Sequence, residues 1–282
     1  MTSAPDVADF RDAPEWVGGE PERQSSPAPE PAPRPLRWWK EVVIALVFYG
    51  VYSAVRNMQG SATVSATHAF NNARRVIDLE RFLGLYHELS IQRAFLESDL
   101  VMTVWNVLYG TLHFVVTIFV LVLLFRRFPA RYARWRNALA ATTGLALIGF
   151  AFYPLMPPRL LPASYGFVDS LEVFGSPWSF DSSAMHKISN QYAAMPSLHF
   201  AWALWCGCAL VSALRHWATK LLGVLYPVVT LAAIVITANH YIIDAVAGAA
   251  VLGVGWALGT AITDGRLRPR RGAEPTVAPT PA

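Results

Sequence analysis

Two things are scarce in this sequence: charge and cysteine. Asp, Glu, Lys and Arg make up 15% of its 282 residues, against about 25% in an ordinary soluble domain. A chain that is 54% apolar and so thinly charged argues against a soluble enzyme. Lys plus Arg exceed Asp plus Glu only as 23 to 19, so a basic pI here is no sign of a nucleic-acid surface. The two cysteines, Cys206 and Cys208, lie two positions apart in an apolar run, and a helix points them to roughly opposite sides. That excludes a disulfide framework and a Cys-based metal site. The first 37 residues lack any apolar stretch fit for a signal peptide.

What is present is proline at the ends and apolar runs between them. Residues 1–37 hold eight of the twenty prolines and read as a disordered cytoplasmic tail. Residues 265–282, with Arg266, Arg268, Arg270 and Arg271 ahead of a Pro/Ala/Thr stretch, read as a second. Residues 38–264 form one all-α membrane domain in this reading. A helix needs about 20 mostly apolar residues to cross a bilayer. Six segments are predicted to do so: 38–57, 100–125, 137–155, 197–214, 219–238 and 240–263. The last is rich in Gly and Ala, which lets helices pack closely in lipid. With the N-terminus inside, the inner flanks carry fourteen Lys and Arg and the outer ones seven, and the Arg126–Arg136 loop is the densest. Both termini are therefore expected in the cytoplasm of a multi-pass plasma-membrane protein. Of the two long outer segments, 58–99 contains an amphipathic helix with Val76, Leu79, Leu83 and Tyr86 on one face, broken by Gly84 and lying on the outer surface.

Ionisable side chains collect at the outer ends of the spans. The third span ends in Tyr153-Pro154-Leu155-Met156-Pro157-Pro158-Arg159, the fourth starts with Met195-Pro196-Ser197-Leu198-His199, and the sixth starts with Asn239-His240-Tyr241-Ile242-Ile243-Asp244. Alternating span direction brings all three to one depth, and ionisable groups there are functional candidates. His240 and Asp244 are four apart, one turn on a shared helix face, so the carboxylate can hold one imidazole nitrogen and leave the other as a base or nucleophile. Ser197 is placed to cap the helix that starts at His199, where free N–H groups suit a phosphate. Arg159 can grip phosphate oxygens with two N–H groups, and Lys187 and Arg56 are further candidate cations. His113 and Tyr109 form an i, i+4 polar face in the second span, placed for substrate contact or packing, as is Asn239. Two His and one Asp are also a conceivable metal set, but no other acidic residue falls clearly at that face and an arginine lies beside it; no metal and no cofactor are expected.

Met-Pro-Ser-Leu-His at 195–199 and His-Tyr-Ile-Ile-Asp at 240–244, in that order and on one membrane side, resemble the motifs of the type-2 phosphatidic acid phosphatase superfamily. With the Tyr-Pro-Leu-Met-Pro-Pro ending of the third span they resemble most closely its branch of inositol phosphorylceramide and sphingomyelin synthases. The resemblance covers 38–264. It implies that His240 attacks phosphorus and forms a phosphohistidine, that Asp244 orients it, and that His199 protonates the leaving oxygen, without a metal. The chain departs from the broad pattern at Leu198, where glycine is usual, at Ile234, where arginine is usual, and in a first motif reduced to Pro157-Pro158-Arg159. The expected activity is a lipid phosphatase or an inositolphosphotransferase-like transferase acting on a lipid phosphate or phospholipid, with water or an alcohol such as inositol as acceptor and no nucleic-acid partner. The alternatives are a non-enzymatic lipid-phosphate binder or transporter on the same helices, and a metal-dependent hydrolase.

Overall fold

The structure is a computed structural model. It describes residues 37–58, 65–175 and 191–265, without the side chains of 51, 52 and 55–58. Lys187, the side chain of Arg56, and both tails apart from Arg37 and Gly265 fall outside the described residues.

Regular structure among the described residues is helical, save an isolated bridge between Leu155 and Ala193. In chain order the helices are α1 (Trp38–Met58), α2 (Ala66–Leu83), α3 (Glu88–Phe95), α4 (Asp99–Arg127), α5 (Pro129–Phe152), the short α6 (Ser170–Val173), α7 (Leu198–Ala213), α8 (Trp217–Ile236) and α9 (Ile242–Thr263). All six apolar runs are helical. Of the six expected crossings, length and composition mark three among the described residues: α4, α8 and α9 are long and apolar enough to cross a membrane. Charge and length explain the other three. Helix α5 begins with Arg131, Arg134 and Arg136, and α1 carries Lys40 and Glu41 in its first turn. Helix α7 has 16 residues, or about 24 Å at 1.5 Å per residue, short of a hydrocarbon core of about 30 Å.

Helix α9 packs chiefly against α5 and α7. Its glycines make the approach possible: a Cβ at Gly255 would collide with Thr142 of α5. Between α4, α5 and α7 the core is aromatic, with the Trp205 ring edge-on to Trp135 and its Nε1–H donating to the Trp135 carbonyl at 3.0 Å. Cys206 faces this core and Cys208 is exposed, so the two sulfurs diverge as expected and both are free.

Two ends of the bundle differ in chemistry. At one, where α4 ends and α5 begins, Arg136 grips both Glu41 oxygens of α1 at 2.7 Å, Arg134 meets Asp264 after α9, and Arg131 donates to the Ser212 carbonyl of α7. At the other, α5 ends and α7 and α9 begin. Helix α2 roofs that second end. Ser65 caps its start, and Gly84, with φ 69°, ends it in the left-handed conformation that favours glycine. Its buried strip is Ala69, Asn72, Ala73, Val76, Ile77 and Glu80. Of the expected apolar face, Val76 lies in this strip, while Leu79 and Leu83 are 44% and 50% exposed. The small Ala69 and Ala73 decide the rotation, because they let the chain after α5 lie close beneath. Met156 N–H donates to the Ala69 carbonyl at 3.2 Å, and Asn72 Nδ2 donates to the Pro154 carbonyl at 2.9 Å.

Candidate active site

The site is assembled from the turn between α8 and α9, the start of α7 and the middle of α4. Helix α9 begins at Ile242 with Tyr241 as its cap, so His240 lies in the preceding turn and not on the helix it was expected to share with Asp244. Capping brings the two together instead. Asp244, at the third helical position, turns its carboxylate back on the helix start. Its Oδ2 accepts from the Tyr241 N–H at 3.0 Å and meets His240 Nδ1 at 3.2 Å. With the carboxylate accepting, Nδ1 carries the hydrogen and Nε2 the lone pair. His240 is 3% exposed and Asp244 fully buried. The turn is tight: Ala238 adopts φ 52°, a region that costs an L-residue about 1–2 kcal/mol.

His199 is the second residue of α7, behind the predicted Ser197 cap, whose Oγ accepts from the Phe200 N–H at 3.4 Å. The Ser197 N–H donates to the Asp244 carbonyl at 3.0 Å, and Gly248 lets α9 come up against the Ser197 carbonyl, which a Cβ there would strike. Ser197 is thereby fully buried and spent on joining the two helices. The join puts the His199 and His240 rings 5.5 Å apart, centroid to centroid, at 63°. Tyr109 and His113 also arrive here from α4. The Tyr109 ring stacks on His199 at 4.5 Å and the His113 ring meets it at 4.3 Å, while His113 Nδ1 is 3.1 Å from the Tyr109 carbonyl. A cavity of ≈ 10 Å³ lies beside His199, lined by Tyr109, Leu112, His113, Thr230 and Ile234 among others, room for about one water.

Arg159 stands in a 3-10 turn just after α5. Its N–H donates to the Ala238 carbonyl at 2.8 Å, Nε donates to Asn239 Oδ1 at 2.9 Å, and Nη1 meets Asp169 Oδ2 at 2.6 Å. Arg159 and Asn239 are therefore beside His240 as the sequence suggested, already engaged with each other. Asn239 is completed by its own Nδ2, which donates to Thr237 Oγ1 at 2.9 Å.

Three acidic residues at this end escaped the sequence reading, which placed none here beyond Asp244. Asp169 caps α6, and Asp169-Ser-Leu-Glu172 carries the acid-plus-glutamate spacing of a helix start that could have flagged it. Glu80 and Glu88 are fully buried. Glu80 Oε1 accepts from the Ile243 N–H at 2.8 Å, and Glu88 Oε1 accepts from the Ile242 N–H at 3.0 Å. Burial, reinforced by the neighbouring Glu88, pushes the Glu80 carboxyl up to about 9. Their signal was weak: Glu80 continues the Ala73–Ile77 strip, and its partner lies 163 residues away. Among the described residues no group of three or more His, Cys, Asp or Glu could hold a metal ion.

Residues 74–258 match the family described as the PAP2 superfamily. No curated protein and no solved structure matches the chain. The family match spans more than half of the sequence and runs from α2 nearly to the end of α9, enclosing both histidines, Asp244 and Arg159. The chain belongs to the PAP2, or type-2 phosphatidic acid phosphatase, superfamily.

Proposed function

We propose that the protein is a membrane-embedded lipid phosphatase or phosphotransferase that works through a phosphohistidine on His240. The observation that carries this reading is a buried imidazole held at Nδ1 by a carboxylate and facing a second imidazole at 5.5 Å. A binder needs cations at the phosphate and has no use for that pair.

In the proposed reaction the Nε2 lone pair of His240 forms a bond to phosphorus as the bond to the leaving oxygen breaks. His199 gives that oxygen its proton. A water or an alcohol then gives a proton to His199 and attacks phosphorus, and the N–P bond breaks with its electrons returning to His240. Asp244 fixes the ring and offsets the positive charge it carries while phosphorylated. Nη2 of Arg159, the end not engaged by Asp169 or Asn239, serves the phosphoryl oxygens. Lys187 and Arg56 remain the candidates for a second cation. The acceptor is water in a phosphatase and an alcohol such as inositol in a transferase of the inositol phosphorylceramide type. Six membrane crossings, with the histidine end outward and both termini in the cytoplasm of a plasma-membrane protein, complete the proposal. The shorter α7 and the charged starts of α1 and α5 then lie at the interfaces.

The test is phosphate release from lipid phosphates and pyrophosphates in vesicles, with EDTA present and inositol or glycerol added. Turnover that survives EDTA and is lost in His240→Asn and His199→Ala is the expected result. Lipid–alcohol product formed in place of free phosphate identifies a transferase. Equal turnover in wild type and His240→Asn overturns the reading.

A further inference from the structure

The start of α9 presents His240 and Asp244 to the substrate, yet its peptide N–H groups are not held by its own chain neighbours alone. The Ile242 and Ile243 N–H groups point at carboxyls from two other helices, Glu88 of α3 and Glu80 of α2. The second oxygens of these acids, Glu80 Oε2 and Glu88 Oε2, are buried with no other partner. The two carboxyls accept from consecutive peptide N–H groups and so are neighbours, and two neighbouring carboxyls can bond to each other only if one of them holds a proton, because an ionised carboxylate only accepts.

We propose that Glu80 and Glu88 share one proton, and that the bridged pair is a positioning element that fixes the first turn of α9 so that His240 Nε2 faces phosphorus. The function assigned to the pair rests on the phosphohistidine reading; the shared proton does not.

Charge supports the sharing. Asp244 and Tyr241 of α9 face the pair, as does Tyr86 between α2 and α3, and Arg81 lies over the Tyr86 ring at 4.9 Å. A pair with both acids ionised would put three negative charges around one helix start, counting Asp244, at fully buried positions. One shared proton removes the third charge and supplies the missing donor. The remaining negative charge complements the α9 N-terminus, whose dipole is worth about half a positive charge. It also stands behind the imidazole that becomes cationic when the N–P bond forms. Helices α2, α3 and α9 are thereby tied at one point, and the tie ends one residue beyond Tyr241.

Two readouts on the full-length protein in vesicles separate the parts of the proposal. Infrared spectra at neutral pH should contain a protonated-carboxyl C=O band that disappears in Glu80→Gln and in Glu88→Gln alike, since either change leaves a lone carboxylate beside an amide. No band in the wild type, or a band that outlives either substitution, overturns the shared proton whatever the enzyme does. Kinetics then test positioning. Glu80→Ala should lower kcat by about a hundredfold with little change in KM, as expected when a reacting group is misplaced by about 1 Å. Glu80→Gln should recover most of that loss, because its amide can donate to Glu88 in place of the proton. A glutamine variant no better than the alanine one overturns the positioning role. If Glu80→Ala does not fold, the same comparison is made with Glu88→Gln and Glu88→Ala. Failure of the phosphohistidine reading itself shows separately, as turnover that persists in His240→Asn while the infrared result stands.

Discussion

Arg134 and Asp264 meet at one end of the bundle with 48% and 29% of their side chains exposed; His240 and Asp244 meet at the other with 4% and 0%. The first pair is screened by water and joins two helix ends loosely. The second is shut away from solvent, so the polar atoms around it are held by partners in the protein, apart from Asp244 Oδ1, Glu80 Oε2 and Glu88 Oε2. That is why its neighbours are so specific: an acid turned back on its own helix, a serine that caps one helix and bonds another, an arginine shared by an aspartate and an asparagine, and two glutamates on one helix start. On the proposed function, charge at the arginine end orients the protein, while charge at the histidine end carries the chemistry.

The largest break in this contrast is Asp244→Asn. Tyr241 N–H and His240 Nδ1 both meet one oxygen, Oδ2, so an amide oxygen can keep both bonds, but the negative charge behind the imidazole is lost. Turnover should fall on the order of 10⁴-fold, as when a catalytic histidine loses its carboxylate, read in the vesicle assay; a loss under tenfold would mean that the carboxylate charge is not used. Next comes Gly248→Ala, which forces α9 away from the Ser197 carbonyl and separates the two histidines. Overpacking of this kind costs about 1–3 kcal/mol. It should appear both as a lower Tm and as a lower kcat, and a variant with unchanged kcat would show that the spacing between the rings is not critical.

A third test uses pH. Glu80 binds its proton more tightly in the folded protein, up to about 9, than at its ordinary 4.5. The folded state therefore holds the extra proton between those values. The stabilisation is full below the lower one and is lost as pH rises towards the upper one. Tm in detergent should decline over that window, and Glu80→Gln should flatten the decline; a slope that persists in the variant places the titrating group elsewhere. The smallest effect belongs to the other end: Arg134→Ala should change stability by no more than about 1 kcal/mol, and a larger shift in the melting curve would show that this exposed pair is part of a tighter network.

The positions of the apolar helices, the Ser197 cap, the Gly84 stop and the meeting of His199 with His240 were legible in sequence, because each follows from local pattern or from alternation of direction. The rest depended on partners distant in the chain. Leu79 and Leu83 look more suited to burial than Glu80, until one sees that Ala69 and Ala73 turn α2 and that the Glu80 partner is a peptide N–H of α9. The Asp169 partner of Arg159 went unread because it falls in a stretch that hydropathy treats as loop. The His240–Asp244 spacing suggested a helix face, yet a turn and a cap achieve the same pairing with His240 outside the helix. Length and composition mark fewer spans than the apolar centres do, because one helix has 16 residues and two have charged starts.

The bond between α2 and the start of α9 has a consequence for traffic. On the proposed mechanism, a substrate that arrived by lifting α2 would strip the Ile243 N–H of its acceptor and loosen the turn that aims His240, so entry there would disarm the proposed nucleophile. A path between α4 and α8, whose side chains line the cavity beside His199, disturbs neither glutamate. On the proposed function, a lipid travelling within the plane of the membrane would reach His199 only by parting α4 from α8, where the cavity now holds about one water, while the roof stays shut.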